Sequence, residues 1–175
     1  DVFPEIIRLS AEVFALEHND VLTATRVNIT IDDSRSYLLR NSQQFDLMTS
    51  GAEQLTMFPG RYTTEFYRIC SDRLTNKGIF CQIISLKDLS RNHFFSICKS
   101  VSDVFPHLSL WYISPEKLLL IGSKQELKIN FCPMSAAFSS VNGTPTSDVI
   151  HIPDPETILA HLIMMDEQLY DLAAD

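Results

Sequence analysis

The stretch from Phe45 to Ile84 constrains this chain more than any other. QFDLMTS leads into a loop through Gly51 and Pro59, then TTEFYRICSDRLTNKGIFCQII, an order that predicts strand, loop, helix, strand. Gly78 to Ile84 is apolar almost throughout, as expected of a strand covered on both faces of a parallel sheet. Thr63 or Thr64 can cap the helix, with Glu65 in its positive first turn. Phe66, Ile69, Cys70 and Leu74 share one face at helical spacing, and Asn76-Lys77-Gly78 supplies the stop signal. Two parallel strands joined by a helix make a right-handed crossover, the building block of an α/β sheet.

Elements on either side extend this core. A helix is expected over residues 4–18, with Pro4 and Glu5 in its first turn and Ile6, Leu9, Val13 and Phe14 as its buried stripe. Arg26 to Ile31 alternates polar and β-branched residues and predicts a strand. Asp32-Asp33-Ser34-Arg35 then opens a short helix to Arg40, and an Asp in this place caps a helix without any ligand. Downstream, a helix from Ser90 to Val104 presents Phe94, Phe95, Ile97, Cys98 and Val101 before Pro106 breaks it. His107 to Ile113 and Lys117 to Ser123 predict two strands joined by Ser114-Pro115-Glu116, with His107 structural rather than catalytic. Glu126 to Phe131 is expected to add an edge strand. Residues 132–154, rich in Pro, Ser and Thr, are expected to form a linker in which Asn142-Gly143-Thr144 is a turn. Residues 155–175 follow as a helical tail, divided at Asp166-Glu167, which packs on the core, covers the sheet edge or forms a homodimer contact.

Charge and cysteine usage narrow the function. A net charge of −8 with no cluster of Lys and Arg excludes a nucleic-acid groove and suits a cationic small molecule. Cys70, Cys81, Cys98 and Cys132 are far apart in apolar contexts, which implies reduced thiols and a cytoplasmic location. Neither they nor the five histidines have metal-ligand spacing, so no metal is expected. No run approaches the ~20 apolar residues of a membrane span, and DVFPE at the start is no secretory signal.

The FDLMTS strand followed by YTTEFYRICSDRLTNKGIF, together with SVSDVFPHLSLWYI and KLLLIGS, resembles the spermidine synthases and related polyamine aminopropyltransferases. The nearest resemblance is to the synthase-like domains fused to membrane-transporter segments, over roughly Asp1 to Ser123. The resemblance implies an α/β, Rossmann-like fold of the S-adenosylmethionine-methyltransferase type with antiparallel last strands, here without the first strands and Gly-rich loop. Residues 1–131 would form that partial domain, as a piece of a longer polypeptide. It further implies that Asp1 holds the ribose hydroxyls of a nucleoside cofactor, decarboxylated S-adenosylmethionine or S-adenosylmethionine, and that Asp33 with Ser34 meets the adenine. The family carries a catalytic Asp at the end of the FDLMTS strand, where an ungapped alignment puts Gly51; Glu53, the carboxylate left in that loop, is the candidate for a displaced base. The expected function is therefore a domain related to aminopropyl transfer onto a polyamine and impaired at its base. The alternatives are a non-catalytic regulatory or dimerisation module and an S-adenosylmethionine-dependent methyltransferase.

Overall fold

The structure, a computed structural model, describes residues 3–14, 22, 24–51, 59–141 and 154–174. The chain divides into two compact units, Asp1–Gln43 and Gln44–Asp175, each taken here by itself.

The first unit holds α1 (Pro4–Val13) and α2 (Ser34–Arg40). Proline at the start of α1 and Glu5 in its first turn match the sequence signals. The expected buried stripe is not buried: Ile6, Leu9, Val13 and Phe14 are all about half exposed. Helical spacing makes an amphipathic face but does not supply the layer that covers it. Residues 15–18 of the expected helix lie outside the described residues. The strand expected from Arg26 to Ile31 is not formed, and Ile29 and Ile31 stay exposed. A strand exists only through a ladder with a neighbour, and the described residues give this segment none.

The second unit is built on a mixed five-stranded sheet in the order β1-β2-β4-β3-β5. Its strands are β1 (Phe45–Ser50), β2 (Leu74–Ser85), β3 (His107–Ser114), β4 (Lys117–Ser123) and β5 (Leu162–Met165). β1 and β2 are parallel, with a 3₁₀ turn (Pro59–Tyr62) and α3 (Thr64–Arg73) between them, so the predicted order of strand, helix and parallel strand is present. Thr63 is the cap, its side chain accepting the Phe66 N–H. The antiparallel β3–β4 pair is also as expected.

The helix-to-strand junction lies earlier than its stop signal. α3 ends at Arg73 and β2 has begun by Leu74, so Asn76, Lys77 and Gly78 are strand residues. Between Phe45 and Leu47 of β1 the pairing jumps from Leu74 to Ile79, and Gly78 sits in that irregularity. A Cβ on Gly78 would lie 2.9 Å from the Phe45 carbonyl oxygen. The glycine serves a close backbone approach within the sheet, not a helix end.

Along β2 the burial alternates, with Phe80, Gln82 and Ile84 buried and Ile79, Cys81 and Ile83 half-buried between them. One face is thus fully covered, where the apolar run predicted two. Tyr67 of α3 meets Phe80 edge-on at 5.6 Å, and Phe105 stacks on Phe80 at 5.6 Å. Phe105 follows α4 (Arg91–Ser102), which Ser90 caps through the His93 N–H.

Beyond β4 the structure departs from the sequence reading. Glu126 to Asn130 forms no strand, and Phe131–Val141, expected as strand end and linker, is the helix α5. Prolines mark loops by removing a donor, but Pro133 stands in the first turn of α5, where no donor is needed. The Asn142-Gly143-Thr144 turn lies outside the described residues. The tail is α6 (Pro155–Ala160), then β5, then α7 (Glu167–Ala174), so the expected division at Asp166-Glu167 is present but a strand stands where the first helix was expected to continue. β5 pairs with β3 and covers the sheet edge, and Leu169 of α7 is fully buried. No helix among the described residues is long and apolar enough to cross a membrane.

Candidate functional site

Parallel strands deliver their ligand-facing residues at their carboxyl ends, where side chains and loops converge beyond the ladder. In the second unit that place is the end of β1 and β2. Ser50 pairs with Gln82 in the parallel ladder, and Gly51 follows as the first residue past β1. Gln82 is 1% exposed, and its amide N–H₂ donates to the Ile83 carbonyl at 3.0 Å and more weakly to that of Gly51 at 3.4 Å. Two carbonyls on one side fix the amide's orientation, because the reversed amide would set oxygen against oxygen. Its Oε1 is then a buried acceptor without a hydrogen-bond partner among the described residues. Such atoms are uncommon in folded proteins and mark a place where a further donor belongs.

Gly51 adds no side chain. A Cβ built there would meet nothing within 4 Å, and its backbone is not in the left-handed region. Neither sterics nor backbone conformation requires glycine at this position. On the same edge, the Leu86 N–H bonds the Glu116 carbonyl at 2.8 Å, tying the exit of β2 to the β3–β4 turn. Chemically, the Gln82–Gly51 corner can receive an N–H or ammonium group. It cannot take up a proton, since an amide oxygen is not basic near neutral pH.

Of the residues singled out in the sequence, Asp33 and Ser34 lie in the first unit. Asp33 is the cap of α2, its carboxylate accepting the Ser36 N–H at 2.9 Å. Ser34 opens the helix with its hydroxyl buried and without a hydrogen-bond partner among the described residues. The neighbouring Asp32 pairs with Arg40. Asp1 and Glu53 lie outside the described residues. Tyr62 and Tyr67 are core residues, and burial, first among several causes, pushes the Tyr67 hydroxyl well above its ordinary range. Cys70 and Cys98 are buried thiols, each pushed up to about 12 chiefly by desolvation. They are packing groups, not nucleophiles. Sequence reasoning passed over Gln82, although it is the one strongly polar side chain inside the run Gly78–Ile84. An amide inside a strand read as buried on both faces is itself a signal.

A family model for the spermine/spermidine synthase domain matches residues 1–121. The chain belongs to that family. The polyamine aminopropyltransferase of Buchnera aphidicola subsp. Acyrthosiphon pisum (strain Tuc7) is 27% identical over 101 residues, which are 57% of this chain and 35% of that protein. The chain thus spans about a third of the length of the curated relatives it matches. Among solved structures, spermidine synthase from Thermotoga maritima is similar with a TM-score of 0.75 at 17% identity, over all of this chain and 59% of that one. A spermidine synthase bound to the transition-state analogue AdoDATO gives 0.78 at 17% identity, over all of this chain and 60% of that one. Human methyltransferase-like protein 13 gives 0.64 at 16% identity, over 85% of this chain and 75% of that one. The fold is therefore the Rossmann-like one of the synthases and the S-adenosylmethionine methyltransferases.

Proposed function

We propose that this chain is an aminopropyltransferase-like domain that retains amine recognition at the Gln82–Gly51 corner and carries glycine in place of a base at the end of β1. The observation that carries the reading is the buried, unpartnered Oε1 of Gln82 beside Gly51, at the carboxyl end of the parallel strands. Transfer of an aminopropyl group needs the attacking amine to lose a proton so that its lone pair is free, and a carboxylate at the end of β1 would take it. Glycine at that position leaves an acceptor that can orient an ammonium group but not deprotonate it. In the first unit, Asp33 and Ser34 are the proposed contacts for the adenine of S-adenosylmethionine or its decarboxylated form, with Asp1 on the ribose. Family membership supports this assignment. The same Gly51 favours the second reading, a module that binds without catalysis.

Isothermal titration of the purified chain with methylthioadenosine, then with putrescine at saturating methylthioadenosine, tests the proposal. Micromolar nucleoside binding that survives in Asp33→Ala excludes the adenine contact; Asp33→Asn keeps the helix cap while removing the charge. Putrescine binding is expected to weaken about tenfold in Gln82→Leu, the scale of one hydrogen bond to a charged group. Gly51→Asp, at a position where an added Cβ meets nothing within 4 Å, is expected to add transfer activity with decarboxylated S-adenosylmethionine. No gain from a folded Gly51→Asp protein leaves the module reading.

A further inference from the structure

A histidine–aspartate pair lies at the opposite end of the sheet. β3 runs in the direction of β1 and β2, and β5 runs against it. His107, the first residue of β3, and Asp166, the residue after β5, therefore meet where the parallel strands begin. Asp166 has φ 36, in the left-handed region that L-residues enter rarely. Two bonds to one residue hold it there: its N–H donates to the Leu108 carbonyl at 3.0 Å, and its Oδ1 accepts the Leu108 N–H at 2.8 Å. The second carboxylate oxygen faces His107 Nδ1 at 3.7 Å. That nitrogen is buried and makes no hydrogen bond among the described residues, while the side chain as a whole is 30% exposed and can exchange protons with solvent.

Asp166 is also the joint between β5 and α7, and α7 buries Leu169 and sets the Tyr170 hydroxyl on the Phe105 carbonyl at 2.9 Å. We propose that His107 and Asp166 form a pH-sensitive latch on the C-terminal segment. With the imidazole protonated, Nδ1–H faces the carboxylate as an ion pair and holds β5 and α7 against β3. With the imidazole neutral, Asp166 keeps only its bonds to Leu108.

Of the other charged groups on the surrounding elements, Lys124 and Asp103 have partners of their own. At the end of β4, Lys124 donates to the Leu74 carbonyl at 2.9 Å. After α4, Asp103 pairs with Lys99 at 3.1 Å. On α7, burial and then the charge of Asp166 push the Tyr170 hydroxyl up, so it stays neutral while an imidazole titrates. Glu167 opens α7 beside Asp166, and β5 itself, LIMM, carries no charge.

Hydrogen exchange over residues 162–174 tests the latch, with wild type and His107→Gln compared at the same pH from 5 to 8, which cancels the intrinsic chemical rate. At pH 5 the variant is expected to exchange about fivefold faster than wild type, the scale of a partly exposed ion pair, and the two converge by pH 8. Asp166→Asn keeps an acceptor for Leu108 and should abolish the pH dependence likewise. A ratio constant across the range, or a pH response that persists in Asp166→Asn, overturns the latch.

Discussion

Gly122 and Gly51 differ in what a side chain would meet. A Cβ on Gly122 would lie 2.8 Å and 2.9 Å from two carbons of the Phe105 ring, which is fully buried and stacked on Phe80. The ring cannot yield without disturbing that stack. Gly122→Ala is therefore expected to cost about 1–3 kcal/mol, read as a lower urea midpoint, whereas Gly51→Ala should change stability by less than about 0.5 kcal/mol. The buried thiols give a second test at this scale. Cys70 and Cys98 are pushed from 9.0 up to about 12, so they ionise more readily in the unfolded chain than in the folded one. Their contribution is complete below pH 9 and is lost as pH rises towards 12. A wild-type stability curve should fall through that window more steeply than that of a Cys70→Ala/Cys98→Ala protein. Alkylation at pH 8 should modify the exposed Cys132 first.

At the scale of elements, α3 stands on its cap. Thr63→Ala removes the acceptor for the Phe66 N–H at 3.3 Å and is expected to cost about 1 kcal/mol, measurable as a fall in melting temperature of roughly 2–4 °C. That cap was legible in the sequence because it depends on neighbours in the chain alone. The same holds for β1, α4 and the β3–β4 pair, whose periodicity and breakers agree. What was not legible depended on distant partners. Leu74 to Lys77 carries no strand pattern, but β1 lies alongside and Thr75 bonds Asp46 at 2.9 Å. Leu162 to Met165 continues a helical pattern and is strand because β3 presents an open edge. Four apolar residues in a row fit either structure, and only the tertiary neighbour decides. Of the site, Gly51 was visible by alignment, while the orphaned oxygen of Gln82 depends on which way a buried amide is turned, and no spacing encodes that.

For the whole molecule, the sheet is larger than the stretch the family model covers. That match ends at residue 121, inside β4, while β5 and α7 come from residues 162–174. A chain ending at residue 153 would leave β3 as a bare edge and remove the Tyr170 hydroxyl from the Phe105 carbonyl. It is expected to lose cooperativity in urea unfolding and to associate at its exposed edge, seen as concentration-dependent light scattering.

The strand order β1-β2-β4-β3-β5 also sets a schedule. β4 can pair with β3 as soon as the short turn between them is made, but β5 reaches β3 only after roughly 50 further residues have been joined to the chain. At ordinary elongation rates that interval is about 3–10 s, during which the β3 edge faces the cell unpaired. A nascent chain therefore passes through a stage with a sticky border, and chaperone dependence should be concentrated there.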